Sequence, residues 1–188
     1  MRLFVAIDLS DEARTAITVE QTRIADALGA GGSSLPKWVR PAQMHVTLVF
    51  LGEVLEQALS PVVDAISSLV DVASFALTFE RLGVFPSHGA PRVLWVGVGA
   101  GASQLADVQR CAAARIESAG ITLERRRFDP HLTLARWRNS RPADERRVLA
   151  LDRRAVVAHL LVDHVTLYQS RLGPTGPTHT AVARATLT

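Results

Sequence analysis

The sequence predicts an α+β fold made of two similar lobes, a pseudo-twofold duplication. Three observations predict it. The tetrapeptide His45-Val46-Thr47-Leu48 returns as His131-Leu132-Thr133-Leu134, 86 positions later in a chain of 188 residues. Glu80-Arg81-Leu82-Gly83 is echoed by Ser170-Arg171-Leu172-Gly173 at an offset of 90. Apolar periodicity gives strand, helix, strand, strand, helix, strand, and then much the same order again.

Residues 2–9 (RLFVAIDL) read as a strand. Ser10 is an N-cap for a helix over 11–28, with Asp11 and Glu12 favourably placed in its first turn. GAGGSS at 29–34 ends that helix as a loop, and 36–40 is a short extended piece. The first motif strand covers 44–52, a helix 55–70, a strand 74–82, and PSHGAP at 86–91 a turn. A strand at 92–98 leads into a helix over 102–119 that stops at Gly120. Strands are expected at 121–128 and 131–137, a short helix at 142–151, and one long strand at 156–170. GPTGP turns the chain into a last strand near 179–187. No linker interrupts this order, so 1–188 reads as one bilobal domain.

The formal net charge is +3, which permits a polyanionic partner without requiring one. Arginines crowd the second half, among them Arg125, Arg126, Arg127, Arg136, Arg138 and Arg141. Their planar, forked guanidinium groups suit phosphate. Cys111 is the only cysteine and sits in an apolar helical pattern, which predicts a packing role in a reducing compartment. The opening MRLFVAIDLSDEAR has no signal-peptide pattern, and no apolar run is long enough to span a membrane. The expectation is a cytoplasmic protein with no membrane partner.

In a strand, residues i and i+2 share a face. Each motif therefore aims a histidine and a threonine hydroxyl to one side and packs its apolar residues on the other. Two such strands side by side bring two imidazoles and two hydroxyls to one cleft, an arrangement for acid–base chemistry on an anionic group. His164-Val165-Thr166-Leu167 is a third copy of the pattern. At an offset of 90 it maps onto Ser74, away from the motif strands, so it reads as structural or peripheral. His88, His159 and His179 read as ordinary turn or strand residues. Gly97-Val98-Gly99-Ala100-Gly101-Ala102 matches G-x-G-x-x-A, but without a series of βαβ units it reads as a small-residue turn. Zinc on His45, His131 and His164 is chemically conceivable. The threonine beside each histidine is a poor metal ligand and a good donor to a phosphoryl oxygen. The expectation is a site without metal or other cofactor.

The paired H-x-T-L motifs in their contexts, WVRPAQMHVTLVFLGEV and RFDPHLTLAR, resemble those of the 2H phosphoesterases. With RLFVAIDL, RVLWVGV and LYQSRLGPTGPTH, the likeness covers nearly the whole chain. Within that superfamily the chain is similar to the bacterial and archaeal RNA 2′,3′-cyclic phosphodiesterases, also called 2′-5′ RNA ligases. The resemblance implies two antiparallel sheets flanking a central cleft, with helices on the outside. It implies metal-free hydrolysis of RNA 2′,3′-cyclic phosphate ends to 2′-phosphates, and the expected state of the protein is a monomer. It makes His45 the proton donor, His131 the proton acceptor, and Thr47, Thr133 and Arg136 phosphate ligands. An unbroken strand would turn Arg136 away from His131 and put Trp137 on the histidine's face, so Arg136 needs a bulge or strand end near Ala135. Trp38 and Trp137 are candidates for stacking a base, whereas the parity of Phe50 opposes His45 and assigns it to the core.

Two other readings use different residues. A non-catalytic RNA-binding module would use the arginine cluster and aromatics, and would not require two histidines paired with threonines. A dinucleotide-dependent enzyme would use the Gly97 region.

Overall fold

The computed structural model describes residues 1–29, 35–69, 72–173 and 176–188. The first strand, β1 (Arg2–Asp8), is buried from Leu3 to Ile7 and has a strand on either side of it in its sheet. Ser10 Oγ accepts the backbone N–H of Ala13 and starts α1 (Asp11–Leu28), which buries Ala13, Ile17, Gln21, Ile24 and Leu28 on one stripe. There follow β2 (Lys37–Trp38), β3 (His45–Glu53), α2 (Leu59–Ser67), β4 (Phe75–Phe85) and β5 (Val93–Val98). The chain continues through α3 (Ala102–Ser118), β6 (His131–Arg136), α4 (Pro142–Leu149), β7 (Val156–Val162), β8 (His164–Gly173) and β9 (Gly176–Thr186).

The strands form two antiparallel sheets, β3-β1-β8-β9 and β2-β6-β5-β4-β7. The duplication is visible in this order. Each motif strand, β3 or β6, lies beside the strand that precedes its crossover helix, β1 or β5. The third places are held by β8 and β4, the strands that carry the R-L-G echo. The lobes are not the two halves of the chain, however, because β8 and β9 return from the far end to complete the first sheet. Helix α1 lies against β7 and α4, while α3 lies against β3 and α2, so each crossover helix also braces the opposite sheet. No helix among the described residues is long and apolar enough to cross a membrane.

Two expectations fail against the observed topology. Residues 121–128 form no strand and join neither sheet, so β6 follows α3 without a hairpin partner before it. The long strand expected at 156–170 breaks at Asp163, where the chain leaves the second sheet as β7 and enters the first as β8. The expected helix at 55–70 is shorter, a 3-10 turn at Glu56–Ala58 followed by α2. Position 70, most of the GAGGSS loop, and Pro174 and Thr175 of the GPTGP turn lie outside the described residues.

Candidate active site

Both motif strands carry a β-bulge at the fourth residue of the motif. On β3, Ala6 pairs with Thr47 and Val5 with Val49, leaving Leu48 as the extra residue. On β6, Trp95 pairs with Thr133 and Leu94 with Ala135, leaving Leu134 as the extra residue. The bulge lets two successive residues face the core, Leu48-Val49 in one strand and Leu134-Ala135 in the other. It also resets the alternation, so that the next residue returns to the histidine's face. In the first lobe that residue is Phe50, and in the second it is Arg136.

Three expectations are settled by this device. Arg136 is exposed on the face of His131 and Thr133. Phe50 is not a core residue: it is 70% exposed on the face of His45 and Thr47. Trp137 is a core residue instead of a stacking platform, 6% exposed, because the bulge turns it inward. Trp38 is misplaced for stacking as well. It pairs with the buried Ala135 and is packed against the core from that side. The third H-x-T-L strand has no bulge of its own, since β8 runs past β1 in unbroken register and the extra residue opposite it is on β9.

Each motif histidine is held in the same way. His45 Nδ1 lies 2.9 Å from the carbonyl oxygen of Gln43, and His131 Nδ1 lies 2.7 Å from that of Asp129. A carbonyl only accepts, so Nδ1 carries the proton in both rings and Nε2 is left for chemistry. The Cα atoms of β3 and β6 come within 8 Å of one another although the strands belong to different sheets. The charge of Arg136 is felt at His45 across that gap.

Around His45 the sequence reading missed most of the neighbours. Phe4 on β1 is a hub, with ring centroids 4.9 Å from His45, 4.9 Å from His179, 5.3 Å from Tyr168 and 6.3 Å from Phe50. His179, expected to be an ordinary loop residue, sits edge-on to His45 at 5.3 Å. Burial pushes His45 down to about 4, and the adjacent His179 adds to that. Asp8 pairs with His45 across β1 and β3 and pulls the other way. The Asp8 carboxylate accepts from Tyr168 Oη at 2.5 Å, Thr166 Oγ1 at 2.7 Å and His164 Nε2 at 3.1 Å. Burial raises its pKa, but these hydrogen bonds outweigh burial and hold it below the ordinary carboxylate value. The third motif thus serves the first by way of Asp8. A cleft of about 310 Å³ opens here, lined by His45, Asp8, His164, Tyr168, His179 and Arg184 among others.

Around His131 the aromatic neighbours are Phe85 at 4.9 Å and Trp95 at 6.0 Å. Trp95 pairs with Thr133, so it is the tryptophan that shares the motif's face. Its ring lies flat over Gly83, where a Cβ would come within 2.1 Å of the indole. The bulge at Leu134 is held from behind, since its carbonyl accepts Gln21 Nε2 at 2.9 Å and the N–H of Val39 at 2.9 Å. The Gly97–Ala102 turn packs on β4, and a Cβ at Gly101 would lie 2.4 Å from the carbonyl of Ala76. It is the small-residue turn that the sequence suggested.

A model of the 2′-5′ RNA ligase superfamily matches residues 10–174. The chain belongs to that superfamily. Among its superfamily relatives is a Geobacillus stearothermophilus protein named RNA 2′,3′-cyclic phosphodiesterase, 33% identical over 184 residues. That match covers 96% of this chain and 55% of the relative, so the chain spans about half the relative's length. A protein of the same name from Archaeoglobus fulgidus is 32% identical over 179 residues, covering 94% of this chain and 95% of its own. A crystal structure from Thermus thermophilus superimposes with a TM-score of 0.76 at 29% identity, covering 98% of this chain and 96% of that one.

Proposed function

We propose that this superfamily member hydrolyses RNA 2′,3′-cyclic phosphate ends to 2′-phosphates without a metal, the whole of 1–188 acting as one bilobal unit. The observation that carries this reading is the pair of matched bulges. They set His45, Thr47 and Phe50 on one lobe's face and His131, Thr133 and Arg136 on the other's. In the reaction, water attacks phosphorus as His131 Nε2 takes its proton. The P–O3′ bond breaks on the opposite side as His45 Nε2 protonates the departing oxygen. Negative charge grows on the phosphorane oxygens, where the hydroxyls of Thr47 and Thr133 and the guanidinium of Arg136 stabilise it more than they do the ground state. Phe50 offers its open ring to the base.

Burial leaves His45 neutral near pH 7 in the free protein. As donor, it takes up its proton when the anionic phosphate enters, with Asp8 as the fixed charge that favours the imidazolium. Run in reverse with a 5′-hydroxyl as nucleophile, the same groups would join RNA ends through a 2′-5′ bond. A non-catalytic RNA-binding role would leave the tethering of both Nδ1 atoms without purpose. We further take the protein to act as a monomer in a reducing cytoplasm, in keeping with its single unpaired cysteine, Cys111.

The test is incubation of EDTA-treated protein with each 2′,3′-cyclic nucleotide and identification of the product by NMR. A 2′-phosphate is expected. A mainly 3′-phosphate product would reverse the leaving group, and activity restored only by zinc or manganese would overturn the metal-free mechanism.

A further inference from the structure

The second sheet carries a cation pair beyond the reacting groups. Strand β2 is one of its two edge strands, and Lys37 pairs directly with Arg136 of β6. Directly opposite residues of an antiparallel pair project to the same face. Lys37 therefore stands on the side of His131 and Thr133, one strand further out, about 4.8 Å away across the sheet. Both side chains are exposed, and neither has a carboxylate partner among the described residues. Like charges placed opposite one another on neighbouring strands oppose folding. Two anions lying along the face would relieve that repulsion.

If Arg136 holds the reacting phosphate, the outer position falls to the next anion along the strand. We propose that Lys37 binds the internal phosphodiester on the 5′ side of the cyclic end, which makes the preferred substrate an RNA strand and not a mononucleotide. This rests on the cyclic phosphodiesterase reading above. An exposed ammonium is a suitable ligand for a phosphate that is only positioned, whereas the forked guanidinium of Arg136 suits the one that changes geometry.

The experiment compares wild type with Lys37→Gln on 2′,3′-cyclic AMP and on the dinucleotide ApA ending in a 2′,3′-cyclic phosphate. With the dinucleotide, kcat/KM is expected to fall about 3- to 10-fold, and its slope against salt on logarithmic axes to flatten by about 0.7. With cyclic AMP, which has no second phosphate, the loss should stay under about twofold. Equal losses on both substrates would place Lys37 at the reacting phosphate and overturn the proposal, as would no loss on either. At low salt and without ligand, Lys37→Gln should melt above wild type, because the repulsion is gone. A lower melting temperature would mean that Lys37 has a favourable partner in the free protein, which also overturns it. If wild type turns over neither substrate, it is the cyclic phosphodiesterase reading that fails. Calorimetric binding of ApA 2′-phosphate against 2′-AMP then decides Lys37 by itself: the proposal holds only if glutamine weakens the dinucleotide selectively.

Discussion

His45 faces Asp8 across its sheet, whereas His131 faces Gly97 across the other. The two histidines share a motif, a bulge and a carbonyl tether on Nδ1, so the backbone treats them alike. Their neighbours do not. His45 has Phe4 and His179 beside it and is coupled to a carboxylate, while His131 has Phe85 and Trp95 beside it and a glycine where the carboxylate would stand. A histidine that must hold a proton gains from a fixed negative charge, and one that must take a proton from water gains from an open approach. The residue after each bulge diverges in the same sense, an aromatic ring at Phe50 and a cation at Arg136. Duplication thus supplied one frame twice, and on the proposed mechanism the side chains around it divide the labour.

The strongest test of that division removes each histidine in turn. His45→Ala and His131→Ala should each lower turnover by at least about 10²-fold on a cyclic nucleotide. With an activated aryl phosphodiester, whose leaving group needs no proton, only His45→Ala should recover part of its rate. Recovery by His131→Ala instead would exchange the two roles.

Next come the residues after the bulges. Arg136→Ala should mainly lower kcat, by roughly 10²-fold, because its contact grows with the transition-state charge. Phe50→Ala should mainly raise KM, by about tenfold, the scale of one lost base stack. If both variants changed kcat and KM alike, the division between charge stabilisation and base holding would collapse.

These two residues also mark how far the sequence could be read. Most of the element order along the chain, the crossover helices and the motif pair were legible because period-2 and period-3.6 patterns and two repeat offsets agree. The faces beyond Thr47 and Thr133 were not, because a β-bulge adds one residue without changing composition. Strict alternation therefore put Phe50 and Trp137 on the wrong sides. The one available sign was the pair of apolar residues in succession, Leu48-Val49 and Leu134-Ala135, which alternation alone does not explain. The partners of His45 were hidden for another reason: His164, Tyr168 and His179 lie on strands more than a hundred positions away, and a single sequence shows no pairing at that range.

A smaller effect should sharpen the contrast between Asp8 and Gly97. Asp8→Asn removes the charge that raises His45, so the limb of the pH–rate profile set by His45 should move to lower pH. That is the basic limb if His45 is the donor, and the acidic limb if it is the acceptor. No movement of either limb would remove Asp8 from the mechanism. Burial has a matching effect on stability. His45 is pushed from 6.5 to about 4 in the fold, so the unfolded chain binds a proton first as pH falls. Its contribution is present above about pH 6.5 and is lost on descent through about pH 4. His45→Gln should therefore show a shallower drop in melting temperature across that window. The smallest expected change is His164→Ala, under about tenfold in turnover, because its ring reaches His45 only by way of Asp8. A loss as large as that of His45→Ala would make it a third working histidine.

The interleaved strand order has a further consequence for how the protein is made. Every strand of the second sheet lies between residues 37 and 162, so that sheet can be complete in a chain that ends at Val162. The first sheet cannot. Until β8 and β9 emerge, β1 has a bare edge and Asp8 lacks Tyr168, Thr166 and His164. A chain ending at Val162 would keep every strand partner of His131 and would lack the partners of Asp8 beside His45, which makes the lobe of the proposed donor the last to be completed.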